Sequence, residues 1–352
     1  MMIDMINGIS LFANVGIGET YFKEHNINIC VANELLEKRA KFYSHLYPDC
    51  EMVVGDILHP PILLKLLELY EKYNCNFLIA SPPCQGMSNA GKRDKTDVRN
   101  MLIIPTIDFI KKTLPDNIII ENVPNMLKYT INVNSEIVKI VDYVLNELET
   151  LDYYVNYGVL NAMYYDTPQS RERAIFLISK YGKWDFPMKS DVITLRDVIG
   201  DLPSLESGEE SDIKYHRVRK YPDRHVLCMK HTATGKCSHD NEFYYPRKKD
   251  GTHVKSFHDS YSRLYWDKPA YTVHTHNNTI GSARTVHPGR KLSDGTYSDA
   301  RTLSLLELFR VTGLPDDWNV PDWASDSFVK QVIGEQFPPR FAAKLLETMP
   351  LN

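Results

Sequence analysis

The sequence predicts an α/β fold, a doubly wound and mostly parallel sheet covered by helices, followed by a smaller domain. Two observations carry this. Short apolar runs bounded by turn formers, such as Phe77–Ala80 and Ile118–Ile120, alternate with stretches whose apolar residues recur at helical spacing. Near Tyr181 that alternation stops, and Pro187, Pro203, Pro222, Pro246 and Pro269 punctuate a polar, aromatic stretch.

In order, strands are expected over Ile9–Ala13, Ile27–Ala32, Met52–Val54, at the two runs above, and over Val155–Leu160 and Ala174–Ser179. Helices are expected from about Glu19, over Leu35–Leu46 (stopped by Pro48), Ile62–Tyr73 (with Pro61 at its start), Ile103–Lys112 and Glu136–Leu148. Such a βαβ series implies a largely parallel sheet. The stretch beyond Tyr181 reads as short strands and loops. Amphipathic helix returns over Leu303–Val311 and Arg340–Met349. The domain division that follows is 1–185, 186–328 and a segment 329–352 that returns to the first domain.

With 352 residues, 43% of them hydrophobic, the chain has material for two domains. The N-terminus lacks a basic region followed by a long apolar stretch, and no run approaches bilayer length, which argues against a signal peptide or a membrane span. Six cysteines without paired spacing read as reduced thiols, and the expected location is the cytoplasm. The net charge of -4 hides an asymmetry. Residues 214–291 hold 16 Lys and Arg, 6 Asp and Glu, and nine of the 12 histidines, which leaves 25 basic and 39 acidic residues elsewhere. A basic, His- and Tyr-rich segment in an acidic protein is the footprint of a polyanion-binding surface. Charge alone leaves a solvated insert equally open.

Ligands of open α/β sheets bind at the carboxyl ends of strands. There the sequence places a tight turn with Gly16 and Gly18 after the first strand, Glu34 after the second and Asp56 after the third. Glu34 suits ribose hydroxyls and Asp56 an adenine amino group, so together they favour an adenosine-containing cofactor. There is neither a full Gly-x-Gly-x-x-Gly nor a Gly-Lys-Ser/Thr, which puts S-adenosylmethionine ahead of a dinucleotide or ATP. Cys84 and Glu121 stand after two further strands. A thiol beside a carboxyl group suggests covalent chemistry on an electron-poor ring.

Five segments occur in a telling order: Ser10-Leu11-Phe12-Ala13, Pro82-Pro83-Cys84-Gln85-Gly86, Glu121-Asn122-Val123, Gln169-Ser170-Arg171-Glu172-Arg173 and Gly334-Glu335-Gln336-Phe337-Pro338. This series resembles the ordered motifs of the DNA (cytosine-5) methyltransferases of bacterial restriction-modification type. Arg263–Pro269 and Leu308–Pro315 are similar to the family's late motifs. The resemblance implies a Rossmann-like S-adenosylmethionine-dependent methyltransferase fold with a strand- and loop-rich target-recognition domain. It implies methyl transfer to carbon 5 of a flipped-out cytosine in duplex DNA.

In that mechanism Cys84 adds to carbon 6 of the ring and Glu121, in the neutral form that burial favours, hydrogen-bonds nitrogen 3. Arg173 binds oxygen 2, and Arg171 supports the site or a phosphate. Cofactor contacts carried over by the resemblance are Phe12, Val15, Gly16, Gly18, Glu34, Asp56, Ile57, Pro83, Leu102 and Glu335. DNA contacts are Gln85 and Ser88. The polar loop Ser88–Arg99 looks like the family's mobile loop, with Lys92, Arg93 and Lys95 reaching phosphates. In the basic segment Arg217, Arg219, Arg224, Lys230 and Arg247 are unranked candidates for DNA contact.

Departures are Ser10 for a common Asp, Asn14 and Ile17 for glycines, and Glu335-Gln336-Phe337 for the usual Asn-x-Val. Expected partners are double-stranded DNA and a restriction endonuclease acting separately on the same site, with the protein a monomer. An RNA cytosine methyltransferase of the same fold and a non-catalytic DNA-binding relative are the alternatives. Cys228, His231, Cys237 and His239 follow the spacing of no familiar zinc finger, so no metal is expected.

Overall fold

The computed structural model describes residues 5–83, 101–255 and 259–351. They fall into two compact units. The first comprises residues 1–161, 172–189 and 339–352, and the second residues 162–171 and 190–338.

The first unit is built on a seven-stranded sheet. Its strands in chain order are β1 (Ile6–Leu11), β2 (Ile27–Glu34), β3 (Glu51–Val54), β4 (Phe77–Ala80), β5 (Asn117–Asn122), β8 (Tyr154–Asn161) and β9 (Glu172–Ser179), and the spatial order is β3-β2-β1-β4-β5-β9-β8. The five strands from β3 to β5 run parallel. Strand β9 is antiparallel to both β5 and β8. The order reverses between β1 and β4, so the crevice where such sheets take ligands opens beyond Leu11 and Ala80. Central strands β4 and β5 are buried throughout, as their unbroken apolar runs demand.

Helices α1 (Glu37–Leu46), α2 (Pro60–Lys72), α3 (Ile103–Thr113) and α4 (Ile140–Glu149) cover the sheet. Pro60 and Pro61 open α2, where a missing N–H costs nothing. The main core gathers Ile9, Leu78, Ile107, Ile118, Val144 and Phe176 from strands and helices alike.

Several elements differ from expectation for identifiable reasons. The helix expected from Glu19 is two short 3-10 turns, Ile17–Glu19 and Phe22–His25, the second closed by Asn26 in the left-handed region. The helix expected from Glu136 begins only at Ile140. Glu136–Lys139 instead forms β7, paired with β6 (Thr130–Val133). Asn134 and Ser135, at φ 51° and 72°, make the two left-handed residues of a tight hairpin, a less obvious signal than Asn-Gly.

In the second unit, pairing among the described residues outside helices is confined to isolated bridges, such as Arg247 with His253 and Val286 with Thr302. Short helices α5 (Leu195–Ile199) and α6 (Asp223–Lys230) occur where loops were expected. Helix α5 owes its start to a capping box between Thr194 and Asp197. Helix α7 (Leu305–Thr312) has a second such box, Ser304 with Glu307, and Gly313 closes it at φ 85°. Helix α8 (Asp326–Glu335), capped by Ser325, lies where the sequence predicts no helix.

Fully buried charges organise this unit. Arg301 bridges Glu307 and Asp299, each at 2.7 Å, and Arg263 donates to the carbonyls of Met229, His287 and Asp299. Burial and the neighbouring Arg301 push the His287 imidazole down to about 3, so it sits neutral in the cluster. The last helix, α9 (Pro339–Leu346), belongs to the first unit and packs on the 3-10 turn at Ile17–Glu19.

Candidate active site

The sharpest feature of the first unit is a buried ion pair at the carboxyl end of β5. Arg173 Nε lies 2.6 Å from Glu121 Oε1, with both side chains about one-tenth exposed. The register explains the meeting. Glu121 opposes Ile175 across the antiparallel pair, and Arg173, two residues from Ile175, projects to the same face as its diagonal neighbour. The guanidinium is steadied by donation from Nη1 to the Glu172 carbonyl at 2.7 Å.

One residue on, Asn122 Nδ2 donates to the Pro82 carbonyl at 2.9 Å, both partners buried. This bond fixes the chain leaving β4 beside the Glu121–Arg173 pair. Prolines at 82 and 83 stiffen it further, because each has a locked φ. Cys84 follows directly in sequence but lies outside the described residues, as do Gln85, Ser88, Lys92, Arg93 and Lys95.

Arg171 does different work. It belongs to the second unit, where it is buried and donates to the carbonyls of Val273 and Gly334, each at 2.9 Å. Nearby Gln169 accepts from the Val273 N–H at 3.0 Å. The five-residue motif that looked like one binding element is therefore shared, with Gln169 and Arg171 holding the second unit and Arg173 serving Glu121.

The turn after β1 is held in an unusual backbone path. Phe12, Asn14 and Gly16 all have positive φ, at 58°, 51° and 75°. At Gly16 a Cβ would come within 2.5 Å of the Tyr47 ring and 2.7 Å of the Tyr43 ring. Tyr47 instead donates its hydroxyl to the Gly16 carbonyl at 2.6 Å. Glu34 fastens the same turn, because its two oxygens accept from the backbone N–H groups of Asn14 at 2.9 Å and Leu36 at 2.8 Å. Each oxygen retains acceptor capacity for a hydroxyl. Asp56 accepts from Leu58 N at 2.9 Å, and Asn33 Nδ2 ties the strand ends together through Val53 O and Gly55 O.

Beside these acids stand residues that sequence reasoning passed over. Leu35, Leu36 and Leu58 are 59%, 47% and 58% exposed, an apolar surface at the ends of β2 and β3. Ile57, the expected contact, is packed in the core, as is Val15 in its own turn. Apolar residues one or two places after a strand-end acid were the available signal. Phe12, Pro83 and Leu102 are half-buried, and Leu102 caps α3. Gly18 is buried in the 3-10 turn. Glu335, in the second unit, accepts from Gln331 at 3.1 Å. Acceptors for ribose and for an amino group, an apolar surface for a ring and a fixed turn are what an adenosine requires, so the residues present fit S-adenosylmethionine.

Behind the turn lies a buried acid that sequence reasoning also missed. Glu19 accepts from the hydroxyls of Ser10 and Tyr43. Burial raises its carboxyl to about 7, against the pull of those two donors. Ser10, a departure from the family's Asp, thus donates to a carboxylate supplied by another position.

In the second unit the candidate DNA contacts separate. Arg217 is paired with Asp326 at 2.8 Å, and Lys230 faces Glu206 at 3.5 Å. Arg219 stacks over Tyr221, Arg224 is exposed on α6, and Arg247 lies 4.3 Å from the Tyr245 ring centre. Cys228 and Cys237 are buried, the former in a small core with Tyr221, Met229 and Tyr261. His231 stacks on Tyr244, whereas His239 meets His253 edge-on. Among the described residues no group of three or more His, Cys, Asp and Glu side chains is placed to hold a metal ion, and no helix is long and apolar enough to cross a membrane.

A family model for C-5 cytosine-specific DNA methylases matches residues 6–350. The chain is 46% identical over 340 residues to the Type II methyltransferase M1.HgaI of Avibacterium volantium, covering 95% of each. It is 27% identical to the Type II methyltransferase M.DdeI of Desulfomicrobium norvegicum, covering 97% of this chain and 88% of that one. Among solved structures it is similar in fold to the Entamoeba histolytica methyltransferase EhMeth, with a TM-score of 0.65, 15% identity and coverage of 99% and 98%.

Proposed function

Because this chain belongs to the C-5 cytosine-specific DNA methylases, we propose that it marks one cytosine within a defined duplex sequence by way of a covalent bond to Cys84. The enzyme is a DNA cytosine-5 methyltransferase and a homologue of Type II restriction-modification methyltransferases. The roles of individual residues are our own reading.

The observation that carries it is the buried Glu121–Arg173 pair, 2.6 Å apart, at the strand end to which Asn122 ties Pro82. Cytosine carbon 5 is a poor nucleophile. Addition of the Cys84 thiolate to carbon 6 breaks the ring double bond and makes carbon 5 part of an enamine. Glu121, in its neutral form, donates to nitrogen 3 and Arg173 donates to oxygen 2, where the displaced electron density collects. Glu34, Asp56 and the leucines beside them would hold S-adenosylmethionine, which would supply the methyl group as a sulfonium. Once carbon 5 is methylated, a base removes its proton, the electron pair re-forms the double bond, and the Cys84 thiolate leaves.

The base must leave the stack to be reached. In this reading residues 190–338 choose the sequence, and a separate endonuclease cuts the same site when it is unmarked. The protein acts as a monomer in the cytoplasm. The test is a duplex carrying 5-fluorocytosine at the target, incubated with the methyl donor. The wild-type protein forms a denaturation-resistant adduct and Cys84→Ala forms none while still binding DNA. Methylation by Cys84→Ala at a near wild-type rate overturns the covalent route.

A further inference from the structure

The second unit's basic residues are not equivalent, and their partners sort them. Arg263 is buried, Arg290 and Arg284 face Asp299 and Asp259, and Arg217 faces Asp326. Those charges are compensated within the protein. One segment gathers four cations outside any such pair. Residues 247–255 carry Arg247, Lys248, Lys249 and Lys255 against Asp250 alone, and none of the four cations has an ion-pair partner among the described residues. All four are exposed.

This segment is a built hairpin. Arg247 and His253 form an antiparallel bridge, Val254 N donates to Pro246 O at 2.9 Å, and Lys248 N donates to Thr252 O at 2.8 Å. Asp250 closes the tip by accepting from both the N–H and the hydroxyl of Thr252, and Gly251 turns the chain at φ 85° with open space around it. At the base, Pro246 is buried and Val254 packs on the small core. The ring of Tyr245 meets His253 edge-on at 4.8 Å and carries the Arg247 guanidinium over its face at 4.3 Å. The arginine is thus held before any ligand arrives, which lowers the ordering cost of binding.

A two-stranded ribbon is one of the two protein elements that the major groove of B-DNA admits. Resting on the reading of the protein as a duplex-DNA methyltransferase, we infer that the Arg247–Lys255 hairpin is a sequence-reading element that enters the major groove beside the target. Arg247 reads a guanine edge, because a planar guanidinium fork matches oxygen 6 and nitrogen 7 of that base. Lys248, Lys249 and Lys255 hold the flanking phosphates and set register without choosing sequence.

The experiment uses the full chain. Methylation of mixed-sequence duplexes is read by bisulfite sequencing, and DNA affinity is measured from about 50 to 200 mM salt. Arg247→Lys keeps the charge and loses the fork, so preference at one G·C pair near the target relaxes by about 5- to 150-fold with the salt slope unchanged. The triple change of Lys248, Lys249 and Lys255 to Ala weakens binding to all sequences alike and makes the slope shallower by roughly 2 to 3. An unaltered context in Arg247→Lys, or an unaltered slope in the triple variant, overturns the inference. So does equal wild-type affinity for duplex RNA, whose deep, narrow major groove excludes a ribbon. The slope needs no turnover, so it tests the hairpin even when methyl transfer fails. Absence of any methylated cytosine with wild-type protein sinks the proposed function instead.

Discussion

Replacing Glu19 with glutamine should raise stability at alkaline pH and leave it nearly unchanged at acid pH. The Glu19 carboxyl is buried among Ser10, Tyr43, Tyr47 and Cys50, and burial lifts it from an ordinary 4.5 to about 7. Burial and the Glu19 charge push the neighbouring Cys50 thiol up to about 12 and raise both tyrosines as well, so none of them takes up the charge. A raised acid binds its proton more tightly in the folded state than in the unfolded one. Its contribution is therefore complete below pH 4.5 and is lost as pH rises through 7. Every tenfold gain in proton affinity is worth about 1.4 kcal/mol, so the loss is on the order of 3 kcal/mol. Glutamine keeps an acceptor for Ser10 or Tyr43 and cannot ionise. Urea unfolding at about pH 5 and about pH 8, on either side of the folded-state value, provides the assay. Wild type should lose stability relative to Glu19→Gln by that amount between the two. Parallel pH profiles for the two proteins would refute the reasoning.

Other expectations can be checked separately. Glu121→Gln should slow single-turnover methyl transfer by orders of magnitude with duplex affinity retained, and a rate within about tenfold of wild type removes Glu121 from the chemistry. Glu307→Ala leaves Arg301 with one buried carboxylate in place of two and should cost about 3–5 kcal/mol by calorimetry. A loss below about 1 kcal/mol contradicts the buried network. Gly16→Ala forces a side chain into a left-handed position against Tyr47 and should weaken S-adenosylmethionine binding by titration. Unchanged affinity would mean the turn does not shape that site. Neutralising Lys92, Arg93 and Lys95 together should make the salt slope of DNA binding shallower by roughly 2 to 3, and an identical slope speaks against phosphate contacts there.

Strands β4 and β5 were legible because buried central strands announce themselves as unbroken apolar runs, whereas β1 starts at Ile6, three residues ahead of the expected Ile9, because Asn7 and Gly8 interrupt its apolar pattern. The hairpin at Asn134-Ser135 escaped because its turn lacks the glycine that most plainly marks a two-residue hairpin loop. Helix α8 carries Phe328, Val329, Val332 and Ile333 at helical spacing behind the Ser325 cap, so its signal does stand in the sequence, although it is short and surrounded by polar residues. At the site, Glu121 and Arg173 were read separately from motifs, and the structure supplies the diagonal register that joins them. Glu19 could not have been chosen from sequence. A glutamate in a polar turn looks exposed until Tyr43 and Tyr47, more than twenty residues away, are seen to cover it. Arg171 shows the opposite case, since nothing in an Arg-x-Arg spacing tells which guanidinium will be consumed by backbone carbonyls.

The partition of residues 162–173 bears on any attempt to exchange sequence preference between enzymes of this kind. A graft that transplants only residues 190–338 would leave behind Gln169 and Arg171, whose bonds to Val273 and Gly334 belong to the transplanted body. Chimeras cut that way would carry a mismatched clasp and should express poorly whatever DNA they were meant to choose. Junctions that move residues 162–171 with the graft, and leave Arg173 with its host carboxylate, respect the seam the chain itself uses.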